Sequence, residues 1–554
     1  MSKIHSQQIK HNGKDLLIAS PVADSEDGQG AKLISPDKSW FTFGDIQKAK
    51  NANTGFAIAS NILYLNEGTR TVTITVNSIT SVADLFNSGF NLNCFTAQTT
   101  GPKDWQTVKG LTLSAGANNQ QMVFRFTIAA DQPAVVPYSE SIHKEGLATN
   151  LPVLKIYLNQ DLSDAIPYTL LCKKELQSID VTVNVAHIKD LAISHDKGSI
   201  DPSAPFTPFG DFPDAGTSLY IGSKELFQKQ LTSLTLNFNW KNVHPGNTVD
   251  VQSLYGGNWI SISNANIYPD AQINPGGSYQ PAAIEFTRNE SFSNTASNGF
   301  VRLVLQNDLY SYSQFLSEVK AALSSTKLIP VSGTDPVQYT VDVTPPPQPN
   351  SPYVYDLTAD YEATQSILFD ATVPADNNIL LHLTPFGYYP VNNRFVDAGS
   401  DTEPTKKITL VQDVIHDGEL FVGFAQAMPS TVLQVLFQVA DGSSNPLKDV
   451  ETVYWYYLAA NNNWKQFKKE WVIDGTGNFT QSGIITLSLP AEVSDQNSAL
   501  EQGLIWIKAA VVQNTDAVCK MVLIQAQAAE VTLVQDDAKQ IEFRQILPAG
   551  TLSK

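Results

Sequence analysis

The chain has 554 residues, 42% hydrophobic and 10% aromatic, enough for three or four packed cores. Only 16% are charged, against about 25% in an average globular protein, so the surface relies on Asn, Gln, Ser and Thr and opposes close subunit contact weakly. The net charge of −18, from 54 acidic and 36 basic residues, argues against a nucleic-acid role, which needs a basic footprint to displace counterions.

Residues 1–40 read as a lead-in segment, with Asn12-Gly13 placed to close a small hairpin. Met1 to Gln8 lack an apolar signal-peptide core, and no run approaches 18 apolar residues, so no membrane insertion is expected. Asp24 to Gly28 faintly resembles a calcium loop but lacks the alternating ligands and distal Glu, so it reads as a solvated turn.

Residues 41–200 read as a first β-rich domain. An apolar run at 56–65 is followed by the turn signal Glu67-Gly68, and Val72, Ile74 and Val76 then alternate as in a half-buried strand. Further strands are expected at 122–128 and 151–158, and Ile179, Val181, Val183 and Val185 alternate again. A short helix fits 81–88, with Ser81 as N-cap and Asp84 in its first turn.

Residues 201–217 hold Pro202, Pro205, Pro208 and Pro213 and read as a stiff extended connector rather than a core element. A second β-rich domain is expected over 218–343. It opens with a strand, a short turn and a long strand in which Leu234, Leu236, Phe238 and Trp240 share one face. Near 312–323, Tyr312, Phe315, Leu316, Val319, Ala322 and Leu323 fall at helical spacing after Ser311 or Ser313 as cap. Residues 344–352, with Pro345, Pro346, Pro347, Pro349 and Pro352, form a linker biased to polyproline II. Residues 353–536 read as one or two β-sandwich domains, with strands at 379–383, 420–424, 432–439, 453–458, 484–489, 505–510 and 522–527; residues 537–554 form a tail.

The search for chemistry finds no catalytic, cofactor-binding or metal-binding residues to nominate. His5, His11, His143, His187, His195, His244, His382 and His416 show no HxxxH or HExxH spacing; His187 and His195 as a metal pair is a remote reading. No nucleophile elbow, phosphate loop or dinucleotide fingerprint occurs, and no particular carboxylate pair is selected. Cys94, Cys172 and Cys519 lack partners in sequence and read as small apolar core residues. The basic run Lys465 to Lys469 reads as a solvated strand end. Asn289-Glu290-Ser291 and Asn478-Phe479-Thr480 match the glycosylation pattern without a secretion signal to support them. Tyr454, Trp455, Tyr456 and Tyr457, with Trp464 and Trp471, form either a sugar-stacking platform or two strand faces, one buried and one at a subunit contact; the second reading is favoured.

Several segments in order carry a resemblance. They are Gly55 to Val72, Pro133 to Tyr138 followed by His143, Leu151 to Lys155, Asp201 to Gly210, and Ser218 to Trp240. Later come Gly418 to Gly423, Leu436 to Val439, Ser482 to Ile485, Gly503 to Ala509 and Asn514 to Cys519. Together, over about residues 40–550, they resemble the large J-like baseplate wedge proteins of phage-like contractile injection systems. The resemblance implies a non-enzymatic scaffold in a six-fold hetero-oligomer, in contact with other wedge proteins and indirectly with sheath and inner tube. It implies synthesis in a bacterial cytoplasm and assembly into a tail-like particle. Family members are longer at both ends, which implies a split, short or partial form here. The expected fold is mainly β, several sandwich-like domains on Pro-rich linkers with few short helices. The competing expectation is a multidomain carbohydrate-binding or adhesin-like protein.

Overall fold

In the computed structural model, the described residues are 39–44, 52–87, 94–158, 166–211, 213–241, 247–266, 291–307, 312–342, 344–346, 352–369, 379–385, 387–391 and 407–529, plus the strand backbones at 4–10, 15–17 and 272–273. The architecture is mainly β, as expected, with several antiparallel sheets and few short helices among the described residues.

The spine is a seven-stranded sheet ordered Gln272–Ile273, Leu231–Lys241, Tyr353–Leu368, Leu176–Ile188, Thr69–Ser78, Gln121–Ile128 and Thr112–Ala115. Every pair in it is antiparallel. Period-two side chains place apolar residues in rows across the strands. One such row runs Phe126, Val72, Val183, Ala363 and Leu231 through successive register partners. The expected alternations at 72–76, 179–185 and 234–240 are all buried on this face. A bulge at Val185/Ile188 puts His187 at φ 65. Beside it, Gly68 turns at φ 78, where a Cβ would meet the Ala186 carbonyl oxygen at 2.3 Å.

Two six-stranded sheets share the core of this spine. One contains Gly55–Ala59, Val153–Leu158, Phe95–Thr100 and Ile379–Thr384; its Phe56 and Phe95 rings lie 5.8 and 5.2 Å from Phe124 of the spine. The other contains Ser218–Gly222, Phe300–Leu305 and Thr248–Tyr255, whose Leu219, Ile221, Val301, Leu303, Val249 and Val251 join the same hydrophobic core. A further sandwich pairs Gly418–Ala425, Leu504–Val511 and Tyr454–Ala459 of one sheet with Val432–Val439, Gly483–Ser488 and Met521–Ala526 of another. Strand Ile4–Lys10 adds antiparallel to Gly418–Ala425 and pairs with Asp15–Leu17 as in the expected hairpin. Asn12-Gly13 and Asp24 to Gly28 lie outside the described residues, as do His11, His244, Asn289-Glu290, residues 347–350 and the 537–554 tail.

Local expectations meet local chemistry. The short helix is Ala83–Asn87, and Ser81 Oγ accepts the Ala83 N–H at 3.2 Å. The turn within 218–240 is one helical turn, Lys224–Phe227, with Ser223 Oγ accepting the Leu226 N–H at 3.3 Å. The connector after residue 200 differs from its expectation. Phe206 and Phe209 are buried in the main core, and Phe206 exchanges backbone hydrogen bonds of 3.0 and 2.9 Å with Val354. Proline fixes the backbone there, but the aromatics between the prolines supply apolar surface that the core takes in. The helix Tyr312–Ser324 forms, yet Leu316 and Leu323 stay exposed; the side chains of the two expected caps lie outside the described set.

The last sandwich meets the main body at Gly387–Val391, an edge strand of the 55–59 sheet. A Cβ on Gly387 would sit 2.1 Å from the Ser498 carbonyl oxygen, so only glycine admits this approach. Asn462 Nδ2 donates to the Tyr388 carbonyl at 3.0 Å. The Tyr388 hydroxyl turns back to donate to the Gly146 carbonyl at 2.8 Å and accept the Ala148 N–H at 2.6 Å.

Candidate functional site

The aromatic run on Tyr454–Ala459 divides by strand alternation. Trp455 and Tyr457 are buried in the sandwich core; Tyr454 and Tyr456 are half-buried on the opposite face. On that outer face Trp464 packs edge-on against Phe421, with ring centroids 5.5 Å apart, and its Nε1 donates to the Tyr389 hydroxyl at 3.3 Å. Trp471 is half-buried beside Lys468, 4.8 Å from its ring. These rings are therefore committed to packing on both faces and do not line up as an open stacking platform.

Between the outer rings lies a buried ionic cluster. Strand register sets Lys508 opposite both Phe421 and Tyr456. Its ammonium donates to Glu419 Oε1 at 2.7 Å and lies 4.9 and 5.2 Å from the Tyr456 and Trp464 ring centroids. His416 Nδ1 is 2.9 Å from the same Glu419 oxygen, and its Nε2 is 3.0 Å from the Tyr456 hydroxyl. Burial alone would raise the Glu419 carboxyl, but Lys508 and the His416 contact outweigh it and hold the pKa down to about 2. Burial pushes the Tyr456 hydroxyl up to about 12, with Glu419 adding to it.

A second cluster joins the single-turn helix to the spine. Glu225 accepts the Tyr361 hydroxyl at 2.8 Å and the Asn66 N–H at 2.7 Å. Lys229, four residues on, lies 3.6 Å from Glu225 and donates to the Tyr64 carbonyl at 2.6 Å and to the Tyr361 hydroxyl. Burial lowers the Lys229 pKa to about 8 against the pull of Glu225. Nearby, the fully buried Arg70 guanidinium donates to the carbonyls of Gly68, Ala129, Gln132 and Pro133 at 2.7–3.0 Å. It closes two loops with one side chain, a task suited to its planar fork of donors.

A third cluster clamps residues 138–155. The Lys155 ammonium stands 3.4 Å over the Trp105 ring centroid and 2.5 Å from Glu145. Trp105 Nε1 donates to the His143 carbonyl at 3.1 Å, and His143 Nε2 meets the Gly101 carbonyl at 3.0 Å. Burial pulls the Lys155 pKa down, opposed by Glu145.

An open cleft of about 350 Å³ lies where the bulge meets the spine, lined by His187, Asn237, Phe238, Asn239, Asp356, Thr358 and Asp360. Its carboxylates are engaged: Asp360 accepts the His187 N–H at 2.7 Å and Asn237 Nδ2 at 3.0 Å, and Asp356 pairs with Lys189 at 3.1 Å. His195 lies apart on Ala192–His195, its Nδ1 accepting the Lys197 N–H at 3.1 Å. Among the described residues no three His, Cys, Asp or Glu side chains converge as a metal set. Cys94, Cys172 and Cys519 are buried in the cores and form no disulfide, and burial raises Cys172 to about 11. Lys465 pairs with Glu492 at 2.7 Å. Asn478 and Phe479 sit in a tight turn at φ 61 and 59, with Asn478 Oδ1 accepting the Val453 N–H and Phe479 fully buried.

Sequence reading nominated none of these ionic clusters. A signal existed: Lys155 and Lys508 each stand as a lone cation inside an apolar strand, Val153–Leu158 and Leu504–Val511. Such a residue needs a buried partner, which the sequence does not name. Most of the charges in the clusters lie in the segments that carry the resemblance (Arg70, Glu225, Lys229, Lys155, Glu419 and Lys508), while Glu145 and His416 lie outside them. Within these clusters each carboxylate is matched by a cation or hydrogen-bond donor inside the protein, an arrangement that locks loops to sheets.

Comparison with known families gives one match. The model described as baseplate protein PVC11-like matches residues 29–554. No curated protein matches the chain.

Proposed function

We infer that this chain, which belongs to the PVC11-like family of baseplate proteins, is a non-enzymatic wedge component that scaffolds the baseplate of a contractile injection system and couples it to sheath contraction. The observation that carries the reading is the extent of the family match, residues 29–554, which takes in the sandwich cores and the ionic clusters that lock loops to sheets within them. Rigid sandwiches locked by buried ion pairs suit a part that passes force from one interface to another rather than one that deforms.

On this reading the chain is made in a bacterial cytoplasm and built into a six-fold hetero-oligomer around the tube end. Its direct partners are other wedge proteins, and its link to sheath and tube is indirect. No helix among the described residues is long and apolar enough to cross a membrane. The aromatic cluster around Trp464 is packed rather than open, and sugar binding is not favoured.

The test is quantitative mass spectrometry on sheath–tube particles pelleted from native lysate, beside the soluble fraction. The chain is expected in the pellet at a fixed ratio to other baseplate proteins. Complete particles that form while the chain stays soluble would falsify the reading.

A further inference from the structure

We propose that the hairpin Lys327–Pro330/Tyr339–Asp342 is the acceptor for one β-strand of a different baseplate subunit, laid along the Tyr339–Asp342 edge. The proposal deepens the baseplate reading and rests on it.

Cross-strand partners are Leu328 with Val341 and Pro330 with Tyr339, so these four share one face. Val337, two residues before Tyr339, lies just outside the strand and is also exposed. Leu328, Val337, Tyr339 and Val341 are 64%, 56%, 59% and 56% exposed. The preceding helix leaves Leu316 and Leu323 at 48% and 64%. Among the described residues no third strand joins this sheet. A two-stranded hairpin with an uncovered apolar face is marginal in water and gains from a third strand or a covering surface.

The backbone selects the edge. The Val331 N–H donates to the Gln338 carbonyl at 2.8 Å, one position beyond the Pro330–Tyr339 partners, so Pro330 and Tyr339 are a non-hydrogen-bonded pair; the Gln338 N–H itself goes to Thr334 Oγ1 at 2.9 Å. Alternation along an antiparallel ladder then turns the N–H and C=O of Tyr339 and Val341 outward. On the opposite edge the outward positions are Leu328 and Pro330, and proline has no N–H to offer. One edge is therefore blunted, and the other offers two donors and two acceptors, the requirement for strand addition.

Charge selects the occupant. Residues 312–342 carry Lys320 and Lys327 against Glu318, Asp335 and Asp342, nearly neutral in a chain of net charge −18. A second copy would bring two strongly acidic bodies together. The occupant that fits is a strand of another subunit, apolar at alternate positions and without net negative charge.

The experiment compares amide hydrogen exchange in the full chain, free and within purified particles, and follows incorporation of Val341→Pro. That substitution removes an outward N–H and leaves the internal ladder of the hairpin paired. Val341→Lys, which keeps the N–H but charges the apolar face, is the second variant, and Leu447→Lys on an exposed loop outside this hairpin is the control. Expected are protection of the Tyr339 and Val341 amides on assembly and cross-links from Lys327 to one other baseplate protein. At least about tenfold loss of incorporation is expected for both Val341 variants, with thermal midpoints close to the parent and the control unaffected. Unchanged exchange at Tyr339 and Val341, or normal incorporation of Val341→Pro, overturns the proposal and leaves the baseplate reading standing. A free chain that sediments as a dimer dissolved by Val341→Pro also overturns it, since the occupant is then a second copy. Absence of the parent chain from the particles defeats the baseplate reading itself.

Discussion

Glu419 stays ionised in an interior because Lys508 and His416 meet the same carboxylate oxygen. Its folded pKa of about 2 lies below the ordinary 4.5, so its contribution is full above pH 4.5 and is lost as pH falls toward 2. Glu419→Gln leaves Lys508 buried without its counter-charge and is expected to cost about 3–5 kcal/mol at neutral pH. The variant also loses the acid-sensitive limb between pH 4.5 and 2. Urea denaturation of both proteins across pH 2.5–7 reads both effects; parallel curves in the acid window would show that Glu419 titrates normally. At this scale the sequence was half legible. A lone Lys508 among Ile505, Trp506, Ile507, Ala509 and Ala510 announces a buried cation. That its partners are Glu419, 89 residues away, and the ring of Tyr456 is a matter of register.

At the scale of elements, period-two patterns were reliable wherever the alternating residues were large. Val72 to Val76, Ile179 to Val185 and Leu234 to Trp240 all form buried strand faces. The longest strand, Tyr353–Leu368, went unread. Its core face runs Leu357, Ala359, Tyr361, Ala363 and Ile367, and the two alanines in the middle of that row carry little strand signal. The connector over 201–217 was misread for the opposite reason: proline density masked two anchoring aromatics. Phe209→Ala is expected to destabilise the protein by about 3–5 kcal/mol, because it empties a filled site in a close-packed core. Limited proteolysis should then show new cleavage within 201–217; an unchanged digestion pattern and midpoint would mean that Phe209 is a passenger.

At the scale of the whole molecule, sheet membership ignores chain order. Strand Tyr353–Leu368 follows the proline-rich stretch yet lies between Leu176–Ile188 and Leu231–Lys241. Strand Ile379–Thr384 pairs with Gly55–Ala59, and Ile4–Lys10 joins the sheet of the last sandwich. A protease site placed within 344–352 should therefore give two fragments that co-elute under native conditions and part only in denaturant. Fragments that separate in buffer would contradict a shared spine. The sequence by itself determined the β class, the strands with large alternating residues, the cap at Ser81, and the family resemblance, because these are local properties of spacing and residue type. Only the tertiary structure decided which strands are neighbours, which cations meet which carboxylates, and which apolar face stays uncovered. Those outcomes depend on register and burial summed over contacts hundreds of residues apart, and no local pattern encodes that sum.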